Sequence, residues 1–421
     1  MSTAAAPHDD AVEIHAGVAD VIRDDAVETV FQPIVDLTTG DVVAHEALTR
    51  GPEGPLQSPA ALFDAARGAG LLAELDRACL AAALRAAQAR LPSPAMVFVN
   101  VEPEVLDFTS VGELASATDA VSDVRVVLEV TERAVAARPA ELLSTVARVR
   151  DLGWGIALDD VGADAASLAF MSLLLPDVVK LDLDLVQGVA TRETAEVMHA
   201  VNAYAERSGA WVLAEGIETE EHLTAARAFG ATLGQGWMYG RPAAAPAPTS
   251  EVTLELPGGE PSRRARHPES LFELLPPGTR VLRSPKRLLI ELSKQLEREA
   301  ARIGETCVLT AAFQHVRHFT PATKVRYARL AEQTGFVCAL GEGLAEEPLP
   351  GVRGATLLAD DPLLGEWDVT VLSPHFSTAL LARDLGDSGP DLDRMFEYAL
   401  TYERATVVEA TRSLLARVTG L

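Results

Sequence analysis

Asp159 and Asp160 stand side by side at the end of the apolar run Trp154-Gly155-Ile156-Ala157-Leu158, and Val161-Gly162 follows them. Neighbouring side chains on a regular strand point to opposite faces, so both carboxylates can serve one site only where the chain turns. Two carboxylates held that close repel each other unless a cation lies between them, which is divalent-metal chemistry. Read alone, one aspartate of such a pair could equally cap the helix that follows. The pattern recurs, however. Apolar runs also end on Glu46, Asn100, Glu129, Lys180, Glu215 and Gln235. Carboxylate and amide oxygens suit hard cations such as magnesium or manganese. None of the nine histidines falls in the set, which argues against a zinc site.

The elements that must position these residues repeat as apolar strand, polar strand end, then helix. Thr29–Val35 and Val42–Arg50 read as two strands joined by a Thr39-Gly40 turn and paired antiparallel, after a lead-in helix over Asp10–Glu28. Ala60–Arg90 reads as helix broken near Gly68 and Gly70. Strands follow at Met96–Asn100, Val124–Val130, Ile156–Asp160, Val178–Asp182, Trp211–Gly216 and Leu233–Gly236, separated by helices over Ala140–Leu152, up to about Arg207, and over Glu218–Phe229. This order predicts a (β/α)8 TIM-like barrel with an antiparallel first strand, whose site lies at the carboxyl ends of the strands.

Composition narrows the classes. The 421 residues carry a net charge of −25 and 48% hydrophobic residues, enough for more than one core. That charge argues against DNA, RNA and anionic membranes, but not against a small phosphorylated ligand neutralised by metal. Cys79, Cys307 and Cys338 are scattered without metal spacing, which fits a reduced cytoplasmic setting. The acidic start has no signal-peptide pattern, and no apolar run is long enough to cross a bilayer.

Glu46-Ala47-Leu48-Thr49-Arg50 resembles the signature of the EAL phosphodiesterases of cyclic di-GMP. The resemblance continues through Gln32, Asn100 in Val-Asn-Val, Glu129-Val130-Thr131-Glu132, Asp159-Asp160 and Lys180-Leu181-Asp182. It ends with Ala214-Glu215-Gly216-Ile217-Glu218-Thr219 and Gln235-Gly236-Trp237, and covers about Val27 to Pro242. It implies hydrolysis of cyclic di-GMP to linear pGpG with two Mg2+ or Mn2+ ions. Glu46, Asn100, Glu129 and Asp159 are implied as ligands of the first ion, and Asp160 of the second. Glu215 is implied as general base, Lys180 as the residue that orients the attacking water. Arg50, Gln32 and Gln235 are implied in substrate binding, and Glu132 and Glu218 in orienting the loops. The family run Phe-Gly-Thr-Gly-Tyr-Ser-Ser-Leu is here Val161-Gly162-Ala163-Asp164-Ala165-Ala166-Ser167-Leu168. Loss of the second glycine and of three hydroxyls, those of the threonine, the tyrosine and the first serine, keeps a weak or conditional enzyme in play. A cyclic-di-GMP receptor without turnover, or a protein-interaction scaffold, is the alternative.

The chain divides by composition into a barrel over 10–243, a Pro/Gly/Ala-rich linker over 244–279 and a smaller α/β domain over 280–421. Arg263-Arg264-Ala265-Arg266 in the linker reads as an exposed basic cluster. The last domain reads as helix Pro285–Arg302, strand Cys307–Phe313, helix Thr320–Thr334, strands near Val337–Leu340, Ala355–Leu358 and Trp367–Leu372, and a long C-terminal helix. Ser284-Pro285-Lys286-Arg287-Leu288-Leu289, Phe313-Gln314 and Asp361-Pro362-Leu363-Leu364-Gly365-Glu366-Trp367 resemble the DICT sensory domain over about Arg280 to Asp384. A regulated enzyme, working as a homodimer, is the expectation this combination sets.

Overall fold

A computed structural model describes residues 17–102, 124–131, 138–163, 166–249, 255–256, 270–388 and 390–419. Glu132, Asp164, Ala165 and the Arg263–Arg266 cluster lie outside the described residues.

Eight strands close into a barrel in sequence order: β1 (Glu28–Asp36), β2 (Val42–Arg50), β3 (Ala95–Asn100), β4 (Val124–Thr131), β5 (Gly155–Val161), β6 (Val178–Leu181), β7 (Trp211–Ala214) and β8 (Leu233–Gln235). β1 runs antiparallel to both β2 and β8, and the remaining pairs are parallel. The helices between them are α1 (Pro59–Ala69), α2 (Leu72–Arg90), α3 (Pro139–Asp151), α4 (Ala166–Leu174), α5 (Leu183–Gln187), α6 (Arg192–Ser208) and α7 (Glu220–Ala228). The break foreseen in the long alanine-rich stretch falls at Gly70, a left-handed cap at φ 70°. Gly68 stays inside α1. The helix foreseen up to Arg207 is two helices, interrupted after Gly188.

The barrel interior is layered. Ile34, Ala44, Phe98, Val127, Ala157, Val178, Leu213 and Leu233, one from each strand, are all 1% exposed or less. They form the inner apolar layer. Two residues further toward the carboxyl end of each parallel strand, and two residues earlier on antiparallel β1, lies a polar residue. Period-two alternation puts it on the same inward face. Polar side chains thus ring the mouth of the barrel above a closed apolar floor.

The second unit is a seven-stranded sheet in the order β12-β11-β10-β13-β14-β15-β9. Its strands are β9 (Leu282–Pro285), β10 (Val308–His315), β11 (Phe336–Glu342), β12 (Val352–Ala355), β13 (Glu366–Leu372), β14 (Ser377–Asp384) and β15 (Met395–Thr401). α8 (Lys286–Ile303) and α9 (Pro321–Gln333) supply Leu289, Leu296, Tyr327 and Leu330 to the core on one face. α10 (Arg404–Leu415) covers the other face, in a core shared with the barrel. The expected long terminal helix is therefore shorter, because β14 and β15 take part of that stretch. The described residues after the barrel, 243–249 and 255–256, stay against it. Ala243 exchanges backbone hydrogen bonds of 2.8 and 3.0 Å with Phe31, the Ala247 carbonyl lies 3.0 Å from His45 Nε2, and Leu256 packs beneath the floor beside Gly155. Among the described residues no helix is long and apolar enough to cross a membrane, and the three cysteines are buried and unpaired.

Candidate functional site

The inward polar layer holds Gln32, Glu46, Asn100, Glu129, Asp159, Lys180 and Gln235 from seven strands of the barrel, and Glu215 from the residue just past β7. At its centre is Lys180, 1% exposed. Its Nζ lies 2.7 Å from Glu129 Oε1, 2.8 Å from Glu215 Oε1 and 2.9 Å from Asp159 Oδ1, with Glu46 Oε1 at 3.8 Å. Burial alone would lower the ammonium pKa. The surrounding carboxylates of Asp159, Glu129, Glu215 and Glu46 outweigh it and hold Lys180 firmly protonated.

On the acids the balance goes the other way. Burial pushes Glu129 well above the usual carboxylate range, helped by Glu46 and Asp159 and opposed by Lys180. Glu215 keeps 21% of its side chain in solvent, yet burial raises it to about 7 against the pull of Lys180.

Glu46 is held from both sides. Asn100 Nδ2 donates to Oε1 at 3.0 Å and Gln235 Nε2 to Oε2 at 2.5 Å. Gln235 Nε2 also reaches Gln32 Oε1 at 3.1 Å, and Gln32 Nε2 donates to the Gly240 carbonyl at 3.2 Å. Gln32 and Gln235, read from sequence as substrate contacts, here form a relay that orients Glu46.

Asp160 reaches the same site by a backbone irregularity. The pairing of β5 with β6 slips between Leu158 and Val161, and Asp160 takes a left-handed φ of 54°. A bulge of this kind re-aims a side chain next to a functional site. Oxygen atoms of Asp159, Asp160 and Glu215 consequently lie within 4.8 Å of one another. The turn depends on Gly162, at φ 109°, where an added Cβ would sit 2.1 Å from Leu185 Cδ1 of α5.

The donor set fits a hard divalent cation. Among the described residues Glu129 Oε2 is buried with no hydrogen-bond partner, so they leave a carboxylate oxygen inside the layer unsatisfied. Two expected residues stand apart from this layer. The Arg50 guanidinium turns back onto the Thr49 carbonyl at 2.7 Å, and Glu218 is exposed, its backbone N–H donating to His222 Nδ1 at 3.3 Å.

Sequence reasoning passed over Asp76. It is 5% exposed in α2 and accepts the Glu102 N–H at 3.1 Å, two residues beyond Asn100. Burial raises its carboxyl to about 7. The signal was present: Asp76 lies four residues from both Leu72 and Leu80, inside the buried stripe of that helix.

Residues 16–242 match the EAL domain. The chain belongs to the EAL domain family. Residues 268–385 of this EAL protein match DICT, the sensory domain in diguanylate cyclases and two-component systems. Among its relatives is the cyclic di-GMP phosphodiesterase NbdA of Pseudomonas aeruginosa, 32% identical over 234 residues, which cover 52% of this chain and 29% of NbdA. The cyclic di-GMP phosphodiesterase RocR of the same species is 29% identical over 236 residues, 53% of this chain and 60% of RocR. The EAL protein thus spans less than two thirds of either relative. A calcium and cyclic-di-GMP complex of Klebsiella pneumoniae BlrP1 superposes with a TM-score of 0.49 at 28% identity, over 53% of this chain and 58% of that one.

Proposed function

We propose that this EAL protein is a metal-dependent phosphodiesterase that opens cyclic di-GMP to linear pGpG under the influence of its C-terminal domain. The observation that carries the reading is the polar layer itself: converging acids from Glu46, Glu129, Asp159 and Glu215, joined by Asp160, with a carboxylate oxygen of Glu129 left unsatisfied. Glu46, Asn100, Glu129 and Asp159 would hold one Mg2+ or Mn2+, and Asp160, with its neighbours, a second. Such a pair supplies an activated water and neutralises charge on the phosphoryl oxygens.

The protein's own residues do the rest. Glu215, at the solvent-facing side of the cluster, takes the proton from the attacking water. The water oxygen bonds to phosphorus as the bond to the 3′ oxygen breaks, and that oxygen takes a proton from bulk water as it leaves. Lys180 holds the water and the developing negative charge. Gln32 and Gln235 keep Glu46 in its ligating orientation, and Arg50, released from the Thr49 carbonyl, is the cation within reach for a substrate phosphate. Glu132 and Glu218 support the loops around the mouth. A cytoplasmic homodimer completes the reading.

The test is incubation of the purified full-length chain with cyclic di-GMP and Mn2+ or Mg2+, followed by chromatographic detection of pGpG. Metal-dependent product is expected, and EDTA should remove it. Saturable nucleotide binding with no product under either metal would overturn the catalytic reading in favour of a receptor, the outcome to which the altered run Val161–Leu168 lends weight.

A further inference from the structure

α4 begins six residues after Asp160 and is buried on every side. Leu168, Ala169, Phe170, Met171, Leu173 and Leu174 are all 2% exposed or less. A helix that is apolar all round needs covering on both flanks. β5 and α6 cover one flank, and the C-terminal domain covers the other through α10 and the turn Gly304–Thr306. Phe170 meets Phe336 of β11 edge to face, with ring centroids 5.5 Å apart.

Two arginines of α10 grip the far end of this helix. Arg412 Nε donates to the Leu173 carbonyl at 2.7 Å. Arg404 Nη2 donates to Ser172 Oγ at 2.5 Å and to the Ser373 carbonyl at 2.8 Å, tying α4 to the second sheet. The last carbonyls of a helix have no intrahelical donors, and the negative end of its dipole favours a cation there. Arg150 of α3 takes the Leu174 and Leu175 carbonyls in the same way. The terminus of α4 is therefore shared between one arginine of the barrel and one of the C-terminal domain. Burial lowers the Arg412 pKa, a cost that a merely solvated surface arginine would not carry. At its other end, α4 begins at Ala166, four residues beyond Gly162, which like Asp160 holds a positive φ.

We propose that Arg404 and Arg412 are positioning residues for the Asp160 site. Through α4 they hold Asp160 and Gly162 at the positive φ that brings Asp160 beside Asp159 and Glu215. The C-terminal domain is then a structural part of the barrel's mouth, and an event that shifts α10 acts on Asp160 through α4. This rests on Asp160 as a ligand only for its consequence in metal affinity; the mechanical coupling stands separately.

The experiment compares wild type, Arg412→Ala, Arg404→Ala, Arg412→Lys and Arg283→Ala, all full length. Two readouts are used: Mn2+ affinity, from the free-ion paramagnetic resonance signal, and amide hydrogen exchange of the segment 160–175 by mass spectrometry. Arg412→Ala and Arg404→Ala should weaken Mn2+ binding by about tenfold, within the usual range of such couplings, and speed exchange at 160–163. Arg412→Lys, which keeps a cation at the helix end, should fall between them and wild type. Arg283→Ala, which breaks only the exposed pair with Glu397, should match wild type. Unchanged exchange at 160–163 in folded Arg412→Ala, or in Arg412→Lys if the alanine variant does not fold, overturns the proposal. If wild type binds Mn2+ but makes no pGpG, the catalytic reading fails while this one is still decided by affinity and exchange. If wild type binds no Mn2+, exchange alone decides.

Discussion

Replacing Lys180 by methionine removes the one ammonium from a ring of carboxylates and leaves the aliphatic volume nearly unchanged. With Nζ between 2.7 and 2.9 Å of Glu129, Glu215 and Asp159, and the side chain 1% exposed, little water can take its place. Removing one partner from a buried ion pair costs about 3–5 kcal/mol. For a domain of this size that is a fall in Tm of about 6–20 °C. Divalent metal should offset much of it, because the same carboxylates then meet a cation of higher charge. Wild type gains the same mass-action term, so the gap narrows only by the difference in affinity, about 1.4 kcal/mol for each tenfold by which losing the ammonium tightens Mn2+ binding. The assay is thermal unfolding of wild type and Lys180→Met in EDTA and in excess Mn2+. A large gap is expected in EDTA and a smaller one in Mn2+. If the gap is the same in both, or Lys180→Met is as stable as wild type without metal, then the ammonium is not the counter-charge of this layer.

Glu215→Gln should cut turnover by about 10²–10⁴-fold while nucleotide binding, followed by calorimetry, persists; turnover near the wild-type rate would remove Glu215 as base. Gly162→Ala forces a side chain onto Leu185 at positive φ, so it should cost more than about 1 kcal/mol in urea unfolding and weaken Mn2+ binding; an unaffected variant would show that the turn at Asp160 is not needed. Asp76 gives a pH signature. Its carboxyl rises from 3.8 to about 7 on folding, so its stabilising contribution is complete below pH 4 and is lost as the pH rises through about 7. At about 1.4 kcal/mol per pH unit the loss has an upper bound of about 4 kcal/mol. Urea midpoints should therefore show wild type losing ground to Asp76→Asn between pH 5 and 8, and the opposite slope would refute the assignment.

The barrel was legible because each strand carries its message in two residues. An apolar side chain at one position and a polar one two places on, as in Val127 and Glu129 or Val178 and Lys180, can both face inward only on a strand. The double use of Asp159 and Asp160 was legible as a need for a turn, but not the bulge and φ of 54° that provide it. Arg50 illustrates the limit: alternation sets the face from which a side chain starts, and a long flexible one then finds the nearest carbonyl. In the second unit, β14 was missed because Ser377-Thr378-Ala379-Leu380-Leu381-Ala382 is buried on both faces of the sheet. Such a strand shows no alternation, and its alanines and leucines read as helix. Asp76 was missed for a different reason: Ala60–Arg90 was read as helix broken near Gly68 and Gly70, without asking what a charge was doing on its buried stripe.

The hydrogen bond from Gln235 to Gln32 joins residues 203 positions apart in the chain. It crosses the seam where β8 meets β1, the last contact that closes the barrel. Glu46 receives its second donor only through that same Gln235. During synthesis, a nascent chain that has emerged as far as β7 already carries Glu46, Glu129, Asp159 and Glu215 without the seam that seats them. Long-range closure of this kind is slow compared with local helix formation. Seating of Glu46 and completion of the fold are then one event, and a chain that stops short of β8 leaves this carboxylate with Asn100 as its single donor among the described residues.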